Sequence, residues 1–179
     1  MRATTLGSLQ LTPIADALEL VAAPVREAVA APGFPPAWVA PIDAELSDTA
    51  EFCRAYDVPP AASANCVVVT GKREGQQRWA AAVLLATTRA EVNTVIRRRL
   101  DVRKISFASM ADATSQTGME YGGITPIGLP AEWPILLDAR VIEAGPVVIG
   151  SGIRASKIVI DGADLAKLPG AEVIDGLGR

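Results

Sequence analysis

The chain has 179 residues and a mass of 18.7 kDa, enough for one domain whose core buries roughly 70% of the unfolded surface without a disulfide or metal. Half the residues are apolar and the mean hydropathy is +0.28, yet the longest apolar run, Trp79 to Ala86, falls far short of the roughly 18 residues a membrane span needs. The net charge of −3 and pI near 5.0 exclude a global attraction to nucleic acid, and the absence of histidine excludes Ser-His-Asp and Cys-His nucleophilic sites and the usual zinc spheres. The chemistry left open uses backbone groups, hydroxyls, carboxylates, lysine or the substrate itself. No membrane, metal or cofactor partner is expected. Asp16 and Glu19 interrupt the apolar stretch an export signal would need, so a cytoplasmic location is expected.

Residues 1 to about 46 read as a peripheral helical extension, with the main domain over 47–179. Thr12-Pro13 is an N-cap with proline at N1, Pro24 opens a short helix carrying Val25, Ala28 and Val29, and Pro32 to Pro36 ends it. Ser47 is expected to cap a helix in which Phe52 and Tyr56 share a face, stopped by Val58-Pro59-Pro60. Within it, Cys53 reads as a buried small hydrophobe, and so does Cys66 beyond it.

Cys66 to Thr70 and Arg78 to Ala86 are extended runs separated by the turn-like Gly71 to Gly75, and together they predict a β-hairpin. Thr88-Arg89-Ala90-Glu91 has the form of a capping box before a helix with Val92, Val95, Ile96 and Leu100 on one face. That helix and its exit carry Arg97, Arg98, Arg99, Arg103 and Lys104, a basic cluster on an acidic protein. A solvated helix end accounts for it; a docking patch for phosphates is the sharper reading.

Ile105 to Ala108 reads as a strand, and Ser109 caps a short helix that Gly118 ends. Thr117 to Pro130 then holds four glycines and two prolines, so it is a long loop of the kind that more often serves function than connection. Ile135 to Leu137, Pro146 to Ile149, Lys157 to Ile160 and Glu172 to Ile174 read as strands. Asp138 and Asp161 read as helix caps. Strands and helices interleave without a regular βαβ repeat, which predicts an α/β domain of α+β type with a mixed sheet flanked by helices.

Gly150-Ser151-Gly152-Ile153-Arg154-Ala155 matches a dinucleotide fingerprint, but the strand from Lys157 follows at once and leaves no room for the required helix. A tight strand-to-strand connection with exposed N–H groups is the better reading. If it faces the loop Gly122 to Gly128, backbone N–H groups could hold a carbonyl or phosphate oxygen with little help from side chains.

Thr117-Gly118, Gly122-Gly123-Ile124-Thr125-Pro126-Ile127-Gly128, the strand ending at Asp138 and the segment Val147 to Arg154 resemble the YbaK family, the editing domain also found in bacterial prolyl-tRNA synthetases. The resemblance runs from about Phe52 to Leu168. It implies a partly closed sheet and a free-standing aminoacyl-tRNA deacylase acting on the acceptor end of a mischarged tRNA, with an aminoacyl-tRNA synthetase as an expected partner. In that family the loop corresponding to Gly122–Pro126 shapes the aminoacyl pocket, while backbone amides and the terminal ribose hydroxyl assist hydrolysis. The resemblance therefore implies substrate binding by Gly122, Gly123, Ile124, Thr125, Pro126 and Gly128, with the amides of Gly150, Ser151 and Gly152 on the ester carbonyl. The family usually has a lysine where this chain has Asn65, which would hold the terminal ribose. Lys157 is the candidate for restoring the missing cation, and the arginine-rich cluster the candidate for tRNA phosphates. The alternative is a non-catalytic module that binds tRNA ends, or a nucleotide or amino-acid derivative, and lost hydrolysis with that lysine.

Overall fold

The structure is a computed structural model that describes residues 5–179. In chain order its strands are β1 (Thr12–Pro13), β2 (Ala37–Pro41), β3 (Ala64–Arg73), β4 (Gln76–Leu85), β5 (Ile105–Phe107), β6 (Ile135–Asp138), β7 (Pro146–Gly150), β8 (Ser156–Asp161) and β9 (Ala171–Ile174). Its helices are α1 (Ala23–Ala30), α2 (Thr49–Ala55), α3 (Arg97–Leu100), α4 (Met110–Thr117), α5 (Ala139–Glu143) and α6 (Gly162–Leu165).

The expected hairpin forms the longest pairing, from Ala64–Leu85 to Arg73–Gln76 without a break. It is tighter than the sequence suggests. Gly71, Lys72 and Arg73 belong to the ladder, and only Glu74-Gly75 reverses the chain, with φ of 50° and 78° as a type I′ turn requires. Around it a five-stranded sheet runs β5-β3-β4-β6-β9, with β6 parallel to both β4 and β9. A four-stranded antiparallel sheet runs β1-β2-β8-β7. The two sheets touch at a parallel bridge between Ser63 and Val148, giving the mixed, partly closed arrangement.

The N-terminal region is not purely helical. α1 forms behind Pro24, but Thr12 and Pro13 pair with Val39 and Trp38, and β2 lies between β1 and β8. Both faces of β2 are covered: Val39 faces the core between the sheets, and Trp38 and Ala40 face the cluster around Phe52. Continuous burial erases the alternation that would have marked a strand.

Two expected caps also move. Ser47 is buried at the end of the preceding turn, and Asp48 caps α2 by accepting from the Ala50 N–H at 3.2 Å. The Thr88 capping box does not form; the Thr88 hydroxyl donates to the Leu85 carbonyl, and Ala90 bridges to Gly178. That pairing with the C-terminal tail holds the segment extended, so the helix starts as a π-turn at Val92–Ile96 and continues into α3. Ser109, Asp138 and Asp161 cap α4, α5 and α6 as read from the sequence.

Three apolar layers fix the architecture. Val83, Leu137, Ile149, Ile158 and Leu165 pack between the sheets, Ile96 and Leu100 cover the outer face of the five-stranded sheet, and Phe52 covers the outer face of the four-stranded one. The two glycine-rich connections then meet without intervening side chains: the Gly152 N–H donates to the Gly123 carbonyl at 2.7 Å, and the Glu120 N–H donates to the Gly152 carbonyl at 2.9 Å. A Cβ on Gly150 would lie 2.5 Å from the Gly123 oxygen and 2.6 Å from the Ile124 oxygen. These are backbone atoms that cannot step aside, so Gly150→Ala is expected to cost about 1–3 kcal/mol in urea unfolding, the usual range for overpacking. Unchanged stability would mean that the loops are not clamped together.

Candidate functional site

Where the glycine loops approach the start of β3 and the N-terminus of α2, a cleft of about 510 Å³ opens. α2 brings Ser47, Asp48 and Thr49, β3 brings Asn65 to Val68, the glycine loop brings Tyr121, Gly122 and Ile124, and the paired ends of β7 and β8 bring Gly150 and Lys157. Five of the sequence-derived candidates, Asn65, Gly122, Ile124, Gly150 and Lys157, therefore converge on one wall or another of the same hollow.

Asn65 is held by the Thr49 hydroxyl, which donates to its Oδ1 at 2.7 Å. The bond fixes the side-chain amide and leaves its NH2 free to donate. Lys157 lies on β8, an interior strand paired with β2 on one side and β7 on the other. Its side chain is buried, its Nζ donates to the Ser47 carbonyl at 3.1 Å, and it lies 5.2 Å from the centre of the Phe52 ring. Burial lowers the Lys157 pKa; the neighbouring Cys53 and Asp48 oppose that shift and Arg154 adds to it.

Among the described residues Asp48 and Lys157 are the charged side chains that line the cleft. Asp48 uses Oδ1 for its cap, so Oδ2 remains for a ligand. Cys66 also lines the cleft, with burial pushing its thiol up to about 12. Cys53 is raised too, by burial first, against the lowering effect of Ser63 and Lys157. Both sulfurs are thiols at neutral pH and not ready nucleophiles. Among the described residues no group of three or more acidic or sulfur side chains gathers as a metal site would require.

Several candidates lie elsewhere. Ser151 is fully buried, its hydroxyl donating to the Ile153 and Ser156 carbonyls and paired with the Ser156 hydroxyl at 2.7 Å. The Gly152 N–H is already given to Gly123. The Ser151 hydroxyl and the Gly152 N–H hold the loops, and neither residue lines the cleft. Gly123, Thr125, Pro126 and Gly128 do not line the cleft. A Cβ on Gly123 would meet the Ile153 carbonyl at 2.5 Å, one on Gly128 would meet the Pro24 carbonyl at 2.5 Å, and Thr125 is fully buried. None of Arg97, Arg98, Arg99, Arg103 and Lys104 lines the cleft, and Arg99 is committed to Glu172.

Asp48, Thr49, Tyr121 and Phe107 were missed as site residues. Asp48 and Thr49 were hidden behind the expectation that Ser47 was the cap. Arg154 was missed as well; its backbone N–H donates to Glu120 and its guanidinium donates to the Ala44 carbonyl, fixing the chain beside Gly122.

Solved structures share this fold. One, a candidate trans-editing enzyme for prolyl-tRNA synthetase, aligns with a TM-score of 0.66 at 20% identity over 79% of this chain and 85% of that one. A scaffold protein from computational epitope backbone grafting aligns at 0.75 and 20% identity over 88% and 97% of the two chains. A hypothetical protein aligns at 0.66 and 18% identity over 78% and 86%. At these identities the likeness is one of fold. The family model for the aminoacyl-tRNA editing domain matches residues 43–168, which is most of the chain and includes every cleft-lining residue named above, and the chain belongs to that family.

Proposed function

We propose that the protein is a trans-acting deacylase that hydrolyses the ester of a mischarged aminoacyl-tRNA, with prolyl-tRNA-type editing as the model. The observation that carries this reading is the convergence of Asn65, Gly122, Gly150 and Lys157, from four separate segments, on one cleft. The charges of the cleft support it. An aminoacyl ester bears an α-ammonium and hangs from a phosphodiester chain, and the lining offers one carboxylate, Asp48, and one amine, Lys157. Asp48 receives the ammonium, Lys157 holds the phosphate or the developing oxyanion, and the Asn65 amide donates to the terminal ribose.

Hydrolysis then needs little more. Water adds to the ester carbonyl, the bond to the ribose oxygen breaks, and that oxygen takes the proton, with the neighbouring ribose hydroxyl as relay. The ester is already activated, so fixing its position and stabilising the oxyanion supply the acceleration. The raised cysteine pKa values favour direct attack by water over a covalent intermediate. Arg97, Arg98, Arg103 and Lys104, outside the cleft, meet phosphates of the acceptor stem, and a prolyl-tRNA synthetase is the partner that delivers or retains the tRNA.

A panel of mischarged tRNAs is expected to contain at least one deacylated well above its spontaneous rate; uniform background rates would remove the enzyme. The binding-module alternative has its own signature, in which the wild type binds tRNA and only Asn65→Lys hydrolyses it. Lys157→Met is expected to lower kcat/KM at least about tenfold, the loss of a charge-assisted contact. The same variant carries a stability test. Because the native Lys157 pKa is lowered, the unfolded chain holds more protons between that value and the ordinary lysine pKa of about 10.4, so wild-type stability gains from Lys157 as pH rises through that window. The urea midpoint of the wild type should therefore rise relative to that of Lys157→Met as the pH climbs through that window. In a salt titration of tRNA binding, replacing Arg97 and Arg98 is expected to flatten the log-log slope by about 0.7–0.9 per lost phosphate contact; an unchanged slope returns the cluster to a solvated helix end.

A further inference from the structure

The chain is poor in aromatics, with three Trp, two Tyr and three Phe, and its large apolar side chains are almost all packed. Among the described residues the exposed large hydrophobics are Phe107 at 58%, Met110 at 60%, Tyr121 at 49% and Val173 at 50%. Both aromatics in that set line the cleft, and Met110 begins the helix three residues after Phe107. They come from different elements, Phe107 from the end of β5 and Tyr121 from the turn between α4 and Gly122. Neither placement is an accident of a loose chain: β5 is paired with β3 through Val69–Phe107, and the Tyr121 turn is pinned by the Gly123 N–H to Glu120 carbonyl bond and by the Glu120–Gly152 bond. Two exposed aromatic rings on pinned backbone thus stand along one cleft.

We infer that Phe107 and Tyr121 form a stacking platform for the unpaired nucleobases at the 3′ end of the tRNA, the terminal adenine first. This deepens the deacylase reading and rests on its placing of an aminoacylated nucleotide in the cleft. The terminal base is joined to the same ribose that carries the ester, so an ester beside Lys157 and Asn65 leaves that base at the cleft mouth. There the apolar rings offer faces, and stacking needs no hydrogen-bond partner, in keeping with the absence of charged side chains other than Asp48 and Lys157 among the described lining residues. The platform also explains how an acidic protein, with no global pull on nucleic acid, holds an RNA end: the affinity comes from base faces more than from phosphates.

The test separates this from hydrolysis. An uncharged RNA hairpin ending in the single-stranded 3′ sequence CCA, and the same hairpin lacking the terminal adenosine, are titrated at one fixed salt concentration against wild type, Phe107→Ala, Tyr121→Ala and the exchanges Phe107→Tyr and Tyr121→Phe. The wild type is expected to bind the complete hairpin about 5- to 150-fold more tightly than the shortened one, the range for one stacked base. Each alanine variant should lose most of that difference and each aromatic exchange should keep it. Both rings are exposed, so circular dichroism should show the alanine variants folded as the wild type is. Equal binding of the two hairpins by the wild type, or alanine variants that keep the discrimination, overturns the platform and leaves the deacylase reading standing. Discrimination that vanishes with the rings in a protein inactive on every mischarged tRNA upholds the platform and removes the deacylase.

Discussion

The cleft depends on the backbone-to-backbone contact between two glycine connections. Gly150 stands so close to the Gly123 and Ile124 carbonyls that a single methyl group would fall inside van der Waals distance, and the Gly152 N–H and carbonyl close hydrogen bonds on the opposing loop. This contact ties the β7–β8 hairpin of one sheet to the loop that follows α4 and leaves Gly122 and Ile124 as an exposed wall. The Gly152 N–H is spent on holding the wall, and the wall faces the side chains of the cleft.

What it faces is a small set of groups suited to a chain without histidine. Lys157 is an amine lowered in pKa by burial and anchored by the Ser47 carbonyl and the Phe52 ring. Its position follows from strand alternation: it lies on the same face of β8 as Val159, towards α2, with Ile158 on the other face between the sheets. Asn65, oriented by Thr49, is neutral. The cation of the cleft comes from β8, and β3 contributes hydrogen bonding through Asn65. Electrostatic and positional roles that one side chain could combine are divided between two strands.

The legible parts of the fold are those with local causes. Ser109, Asp138 and Asp161 announce their helices because an acceptor side chain two or three residues ahead of free N–H groups is a local fact. The hairpin of β3 and β4 follows from a β-branched run and an apolar run on either side of a glycine-bearing turn. β2 was not legible because burial on both faces removes its period, and the Thr88 segment was misread because its competitor for hydrogen bonds, the chain end at Gly178 and Arg179, lies far away in sequence. Ser47 and Asp48 are both good caps, and the choice between them was made by packing: Ser47 is buried, with its carbonyl on Lys157.

By itself the sequence determined that histidine chemistry is absent, that two glycine-rich connections are present, and that the loop and strand motifs resemble those of an editing domain. Residue inventory and order suffice for these. Only the tertiary structure decided that Gly150 faces the cleft while Ser151 and Gly152 do not, that Lys157 is buried beside Asp48, and that Phe107 and Tyr121 stand exposed at the same opening. Each of those depends on which strand neighbours which, and strand order is set by long-range burial that no local stretch of chain records.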